Sequence, residues 1–179
     1  MAFAPRVVRS EPLATSRVFD VVRLDLEAGG ESFAREVVRH RGAVAVLAFD
    51  GEAVVLVRQW RAPLAAPILE IPAGTRDVAG EDPETTASRE LEEEAGLRAG
   101  HLERLCELYN SPGWSDQRTI VYLATDLAVV PRRPSGPEEA AMEVLFVPLD
   151  EAVALVTGKG PCDASTAAAV LVLAARRAT

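Results

Sequence analysis

Apolar positions in the first half of the chain follow the two-residue period of strands. Residues 17–28 (RVFDVVRLDLEA) alternate in part, Gly29-Gly30 follows, and SFAREVVRH runs on to His40. This predicts two strands joined by a tight turn. GAVAVLAF and AVVLVRQ flank Asp50-Gly51, which predicts a second hairpin, and Ile68–Ile71 predicts a short strand stopping at Pro72. The pattern then turns helical over 83–95, with Asp82 as cap, Pro83 in the first turn, Glu84 at the positive end of the dipole and Gly96 as the stop. Strands follow around 103–109, 119–125 and 143–147. A helix is expected from Asp150, its cap, to Thr157 with Gly158 beyond it, and another from about Asp163 to Arg177, closing on Arg176 and Arg177. Between the last strands, VVPRRPSGPEEA (129–140) reads as a mobile surface loop. Hairpins outnumber crossover units, which predicts an α+β fold with helices packed on a mixed sheet. Residues 1–40 read as a β-hairpin extension and 41–179 as the main domain.

Composition narrows the function classes. With 27 acidic against 19 basic side chains, the net charge of −8 argues against general nucleic-acid binding, because neutralising phosphates needs clustered Lys and Arg. It leaves small anionic substrates open, since a metal can supply positive charge locally. Cys106 and Cys162 form no CxxC, and His40 and His101 are the two histidines, so a Cys/His zinc site is not expected and the thiols read as inert. MAFAPRVVRSEP lacks the apolar run of a signal peptide, and no stretch is long enough to span a bilayer, so a cytoplasmic protein is expected.

Chemistry concentrates between Glu70 and Leu97 (EIPAGTRDVAGEDPETTASRELEEEAGL). On a helix Glu90, Glu93 and Glu94 share one face, and three like charges there repel. A hard divalent cation such as Mg²⁺ relieves that repulsion through oxygen ligands. Arg89 can pair with Glu93 one turn on and hold it in place. A carboxylate run alone reads better as a solvated acidic face; its context changes that. Here a small-residue PAG loop precedes a capped helix that ends at Gly96, which sets the acids beside an exposed backbone turn.

This stretch resembles the signature of the Nudix hydrolases, Gx5Ex7REUxEExGU, where U is aliphatic. Gly74 opens it, Glu81 is the intermediate glutamate, and Arg89-Glu90-Leu91-Glu92-Glu93-Glu94-Ala95-Gly96-Leu97 matches the second half in full. Six residues instead of five separate Gly74 from Glu81, an insertion expected to bulge around Asp77 to Gly80 without moving the helix. The resemblance covers about residues 17 to 177. It implies an α/β/α sandwich with a mixed sheet, cleaving a nucleoside diphosphate linked to another group. It further implies Mg²⁺ or Mn²⁺ held by Glu90, Glu94 and the Ala73 carbonyl, with Glu93 in the same cluster and Glu70 and Glu81 as weaker candidates.

Three further features resemble the ADP-ribose pyrophosphatase branch: LEIPAG before the signature, RQWR at 58–61, and SPGWSDQ at 111–117 with Pro112 fifteen positions after Leu97. The implied products are AMP and ribose 5-phosphate. Trp60 offers a face for the purine, or else packs on a helix, and Arg58 and Arg61 offer charge-assisted contacts to phosphate. Ser111 and the Gly113 backbone could line the terminal-ribose end, while Trp114 reads as a lid, a packing residue or a subunit contact. In this branch the general base is expected from a loop outside the signature. Glu139, directly before AAME, is favoured and Glu138 is the alternate. The branch also implies a homodimer built through the N-terminal extension. Rival readings are another Nudix specificity (a sugar nucleotide, a flavin dinucleotide or a dinucleoside polyphosphate) and a non-catalytic nucleotide-binding module.

Overall fold

A computed structural model describes residues 4–178; residues 1–3 and 179, the outer ends of the two expected domains, lie outside the described residues. The chain folds as two compact units, one built from the chain up to Gly42 together with Tyr109–Arg118, the other from Ala43–Leu108 and from Thr119 onward.

The first unit contains the expected hairpin and adds a strand to it. Strands β1 (Arg6–Thr15), β2 (Phe19–Ala28) and β3 (Glu31–His40) form a three-stranded antiparallel sheet in that order. The β2–β3 turn is the expected one, with Gly29 and Gly30 both at positive φ (60° and 84°), as a two-residue hairpin loop requires. The unforeseen β1 carries no clean alternation. It is an edge strand whose register shifts between Val7 and Arg9 and between Pro12 and Ala14, and an edge tolerates a proline that a central strand would not. The 110–117 segment is held to β3: Val38 donates to the Trp114 carbonyl at 2.8 Å, and the Asp116 carboxylate accepts from the His40 N–H at 2.8 Å and pairs with Arg39 at 2.9 Å.

In the second unit β4 (Ala43–Ala48) is the spine, buried at every position. It pairs parallel with β9 (Arg118–Val129) and antiparallel with β7 (Ala73–Thr75), and β8 (Leu97–Tyr109) flanks β9 to complete a four-stranded sheet. A second sheet sets β5 (Ala53–Arg61) between β10 (Glu143–Pro148) and β6 (Ala66–Glu70), antiparallel on both sides. The hairpin expected at Asp50-Gly51 is therefore half right. The turn forms, with the Asp50 carboxylate accepting from the Glu52 and Ala53 N–H groups at 2.9 and 2.8 Å, but only Phe49 and Val54 bridge before the strands part into different sheets.

Burial of both faces explains the unbroken apolar run of β4. Val44, Val46 and Ala48 pack with Ala87, Leu91 and Ala95, residues of α1 (Pro83–Glu90) and of the π turn Leu91–Ala95 that continues it. Ala45, Leu47 and Phe49 pack the other way, with Ala169, Val170 and Leu173 of a C-terminal helix, Ala164–Arg177. The sheet is thus sandwiched between helices, the expected α/β/α arrangement. Asp82 caps α1 by accepting from Glu84 N–H at 2.9 Å, and Gly96 ends the π turn at φ 67°. The loop expected over 129–140 contains one helical turn, α2 (Pro137–Ala140). A third helix, α3 (Leu149–Ala154), runs into a π turn, Leu155–Lys159; its cap position is Pro148, so Asp150 lies inside the helix rather than capping it. The C-terminal helix, α4, is capped by Asp163 as expected. Among the described residues no helix is long and apolar enough to cross a membrane.

One contact ties α4 to the strand that leads into the signature: the fully buried Thr166 hydroxyl accepts from Ile71 N–H at 2.8 Å. Thr166→Val keeps the shape and strands that donor, so it should lower stability by about 1–3 kcal/mol. A wild-type urea midpoint in this variant would contradict the assignment.

Candidate active site

The signature helix delivers its acids to one place because its other face is anchored. Leu91 and Ala95 enter the core, which turns Glu90 and Glu94 toward β7, and both acids are buried, 7% and 4% exposed. Glu92 points elsewhere and pairs with Arg98 at 2.7 Å. The π turn across Leu91–Ala95 falls on this cluster, where such irregularities concentrate.

The PAG loop meets the acids with backbone. Ala73 N–H donates to Glu94 Oε2 at 2.9 Å. Gly74 lies against Glu90 so closely that a Cβ there would stand 2.1 Å from the Glu90 carboxyl carbon, so only glycine admits this approach. Arg89 does more than the expected pairing with Glu93, which it makes at 3.2 Å. The same guanidinium reaches Glu90 Oε1 at 2.8 Å and Glu81 Oε2 at 3.5 Å. Glu81 also accepts from the Thr86 hydroxyl at 2.7 Å. The extra residue between Gly74 and Glu81 is taken up in a turn, with Glu81 N–H on the Val78 carbonyl at 3.2 Å and Gly80 at φ 80°, and Glu81 still reaches the cluster.

Burial dominates the electrostatics. It pushes the Glu90 carboxyl up to about 7 against the opposing Arg89 charge, with Glu93 and Glu139 adding repulsion. It pushes Glu94 up to about 8, opposed by the Ala73 N–H and helped by the charges of Glu90 and Glu139. Glu139, on α2, therefore stands near both buried acids, while its carboxylate accepts from the Ser135 N–H at 2.6 Å and from the Ser135 hydroxyl at 2.5 Å. Glu138, next to it, faces a different feature.

That feature is a cleft of about 440 Å³ lined by Arg58, Trp60, Pro67, Pro137, Glu138, Ala141 and Glu143. Arg58 and Trp60 share the exposed face of β5. Arg58 is held by its cross-strand neighbour Glu143 at 2.9 Å, and Trp60 is 51% exposed in the cleft that it lines with Pro137 and Glu138 of α2. Arg61, one residue on, sits nearer the acids. Burial works against its charge, but Glu70, with Glu94 and Asp163 nearby, more than offsets this. Both Glu70 oxygens are engaged: Arg61 Nε donates to one at 2.9 Å, and Arg61 Nη2 and Gln59 Nε2 share the other. Ser111 and Gly113 belong to the first unit, in a turn closed by Trp114 and Ser115 N–H groups on the Ser111 carbonyl at 3.1 and 2.9 Å.

The second unit thus brings together Glu90, Glu94, Glu93, Arg89, Ala73 and Glu139, with Arg61 close by and Arg58 and Trp60 in the cleft. Sequence reasoning missed Gln59, Thr86, Ser135 and Arg132, which steady these groups through contacts that no spacing announces. No three acidic, His or Cys side chains among the described residues form a ready cation cage, because Glu90 is turned to Arg89 and Glu94 to a backbone N–H. The donor set nevertheless fits a hard divalent cation: two buried carboxylates that water cannot solvate, a third beside them, and only oxygen ligands.

A family model for the NUDIX domain matches residues 38–169. The chain is similar to an ADP-ribose pyrophosphatase of Bacillus subtilis, 39% identical over 97% of this chain and 94% of the relative. It is similar also to an ADP-ribose pyrophosphatase of Mycobacterium tuberculosis, 43% identical over 81% of this chain and 71% of the relative. The fold is similar to that of the solved structure of an ADP compounds hydrolase, with a TM-score of 0.79 at 24% identity over 94% of this chain and 91% of that one. With the signature intact at Arg89 to Leu97 and its acids gathered against the Gly74 backbone, the chain belongs to the Nudix family.

Proposed function

We propose that the protein hydrolyses ADP-ribose to AMP and ribose 5-phosphate, using Mg²⁺ or Mn²⁺ held by Glu90, Glu94 and the Ala73 carbonyl. The observation that carries this reading is the pair of buried signature acids packed on the Ala73-Gly74 backbone, with Arg61 and Glu139 beside them. When bound, the cation supplies Lewis-acid polarisation of the pyrophosphate oxygens and makes a water more acidic.

The remaining work falls to the chain. Arg61, locked by Glu70, offers its remaining donors to phosphate. Trp60 offers an open face to the purine, and Arg58, fixed by Glu143, borders the same cleft. Arg89 orients Glu90 and Glu93. Glu139 accepts the proton of the attacking water as the P–O–P bridge breaks, and its nearness to Glu90 and Glu94 favours it over Glu138, which borders the cleft. Ser111 and Gly113 are assigned to the terminal ribose. The first unit is assigned to a homodimer interface, supported by exposed Val7, Val8, Leu13 and Phe19 on its sheet. The unpaired Cys106 and Cys162 suit a cytoplasmic setting.

Three outcomes are expected. Wild-type protein with Mg²⁺ should release AMP from ADP-ribose with a higher kcat/KM than from GDP-mannose or dinucleoside polyphosphates. Glu139→Gln should lower kcat by on the order of 10²–10⁴-fold with KM nearly unchanged; wild-type turnover there would remove Glu139 from the mechanism. Light scattering at micromolar concentration should give twice the monomer mass, and a monomer would remove the interface assignment.

The raised carboxyls also set a pH signature. Glu90 and Glu94 titrate near 7 and 8 in the folded chain against 4.5 when unperturbed, so between those limits the folded state binds more protons than the unfolded one. Their contribution is therefore full below about 4.5 and is lost as pH rises through 7 to 8. Metal-free protein should lose Tm across this window, and added Mg²⁺ should raise Tm more at the alkaline end, where the ligands are ionised. A Mg²⁺ effect independent of pH would count against these two acids as the ligands.

A further inference from the structure

The geometry points to Arg132 as a positioning residue for Glu139, a role that rests on the reading of Glu139 as the base. The side chain of Glu139 is held locally, by the Ser135 N–H and hydroxyl just before α2, so its position follows that of the short segment itself. Helix α2 is one turn, Pro137–Ala140, with no side-chain cap and no buried residue, and a helix that short does not sustain itself. Its placement depends on what grips it from outside.

Arg132 supplies that grip at two points. One guanidinium nitrogen, Nη2, donates to the Glu139 carbonyl at 2.8 Å, and the other, Nη1, donates to the Met142 carbonyl at 3.2 Å. The fork therefore spans the C-terminal end of the turn and the residue that leads into β10. Met142 is buried, so this far end is fixed. Nε of Arg132 is buried without a hydrogen-bond partner, which leaves the two carbonyls as the groups that the guanidinium serves.

The stem of Arg132 rests on the glycine of the signature, Gly96. A Cβ on Gly96 would stand 2.8 Å from Arg132 Cγ and 2.9 Å from the Val130 carbonyl oxygen. Val130 N–H in turn donates to the Gly96 carbonyl at 2.9 Å. Gly96 thus serves two ends at once: its φ of 67° ends the helix, and its bare Cα lets Arg132 cross. The chain of contact runs from the acid-bearing helix, through Gly96, along Arg132, to the main chain of Glu139. It fixes Glu139 relative to Glu90 and Glu94 without touching any of the three carboxylates. A lysine has the stem but not the planar fork and can serve only one carbonyl at a time.

The test is a double-mutant cycle on ADP-ribose hydrolysis with Arg132→Met, Arg132→Lys and Glu139→Gln, read alongside hydrogen exchange. Arg132→Met should lower kcat by on the order of 10–100-fold, as a small misplacement of a catalytic group does, with KM and Mn²⁺ affinity within about twofold. Arg132→Lys should fall between it and wild type. In the Glu139→Gln background Arg132→Met should cost nothing further, because the group it positions is gone. Amides of 138–142 should exchange faster in Arg132→Met while those of α1 stay protected. Additive effects of the two substitutions, unchanged kcat, or equal loss of protection in α1 and α2 would each overturn the assignment. Should wild-type protein leave ADP-ribose uncut, the proposed function fails, and the exchange pattern alone still decides whether Arg132 anchors α2.

Discussion

Two like charges taken out of water side by side set the terms for the rest of this site. Glu90 and Glu94 are buried against the backbone of the loop that precedes their helix, and burial alone drives both toward the protonated form. Neither position would be tolerable without compensation nearby. Arg89 offsets part of the cost at Glu90, and the Ala73 N–H offsets part at Glu94. What remains is an oxygen-rich cluster of a kind that suits a hard divalent cation.

The fold exists to hold that cluster in register. β4 is buried on both faces, with the signature helix on one side and α4 on the other, so neither the helix nor the β7 loop paired to β4 can drift. The absence of a side chain does as much as any side chain present. Gly74 lets the Glu90 carboxylate lie on the main chain, and Gly96 lets Arg132 cross from the helix end to the Glu139 segment. Arg61 enters from the neighbouring sheet with its geometry fixed by Glu70, an acid whose two oxygens are committed to that task and to Gln59. Glu70, which the sequence offers as a weaker metal ligand, braces Arg61 in this structure.

The gathering of the candidate-site acids was more legible in the sequence than the strand pairing around it, and the reason is physical. Helical spacing puts Glu90, Glu93 and Glu94 on one face, and the PAG loop, the Asp82 cap and Gly96 around them set that face apart from an ordinary solvated one. The helix boundaries at Asp82 and Gly96 were equally local, because capping and a positive φ are properties of a few consecutive residues. Strand partnership is not local. Asp50-Gly51 encodes a reversal of direction and says nothing about which sheet each arm joins, so β4 and β5 could not be seen to part. β1 escaped notice because an edge strand can carry Pro12 and mixed polarity. Arg132 and Ser135 escaped because their roles depend on backbone carbonyls and amides, which every residue possesses and no motif marks.

Glu90 and Glu94, and not the acidic run as a whole, are the residues proposed to hold the cation. Titration of Mn²⁺ by calorimetry into wild type, Glu94→Gln and Glu92→Gln tests this assignment directly, since Glu92 belongs to the same run but is turned away to Arg98. Glu94→Gln should weaken Mn²⁺ binding by more than about tenfold while Glu92→Gln leaves it unchanged. Equal weakening by the two substitutions, or wild-type affinity in Glu94→Gln, would contradict it.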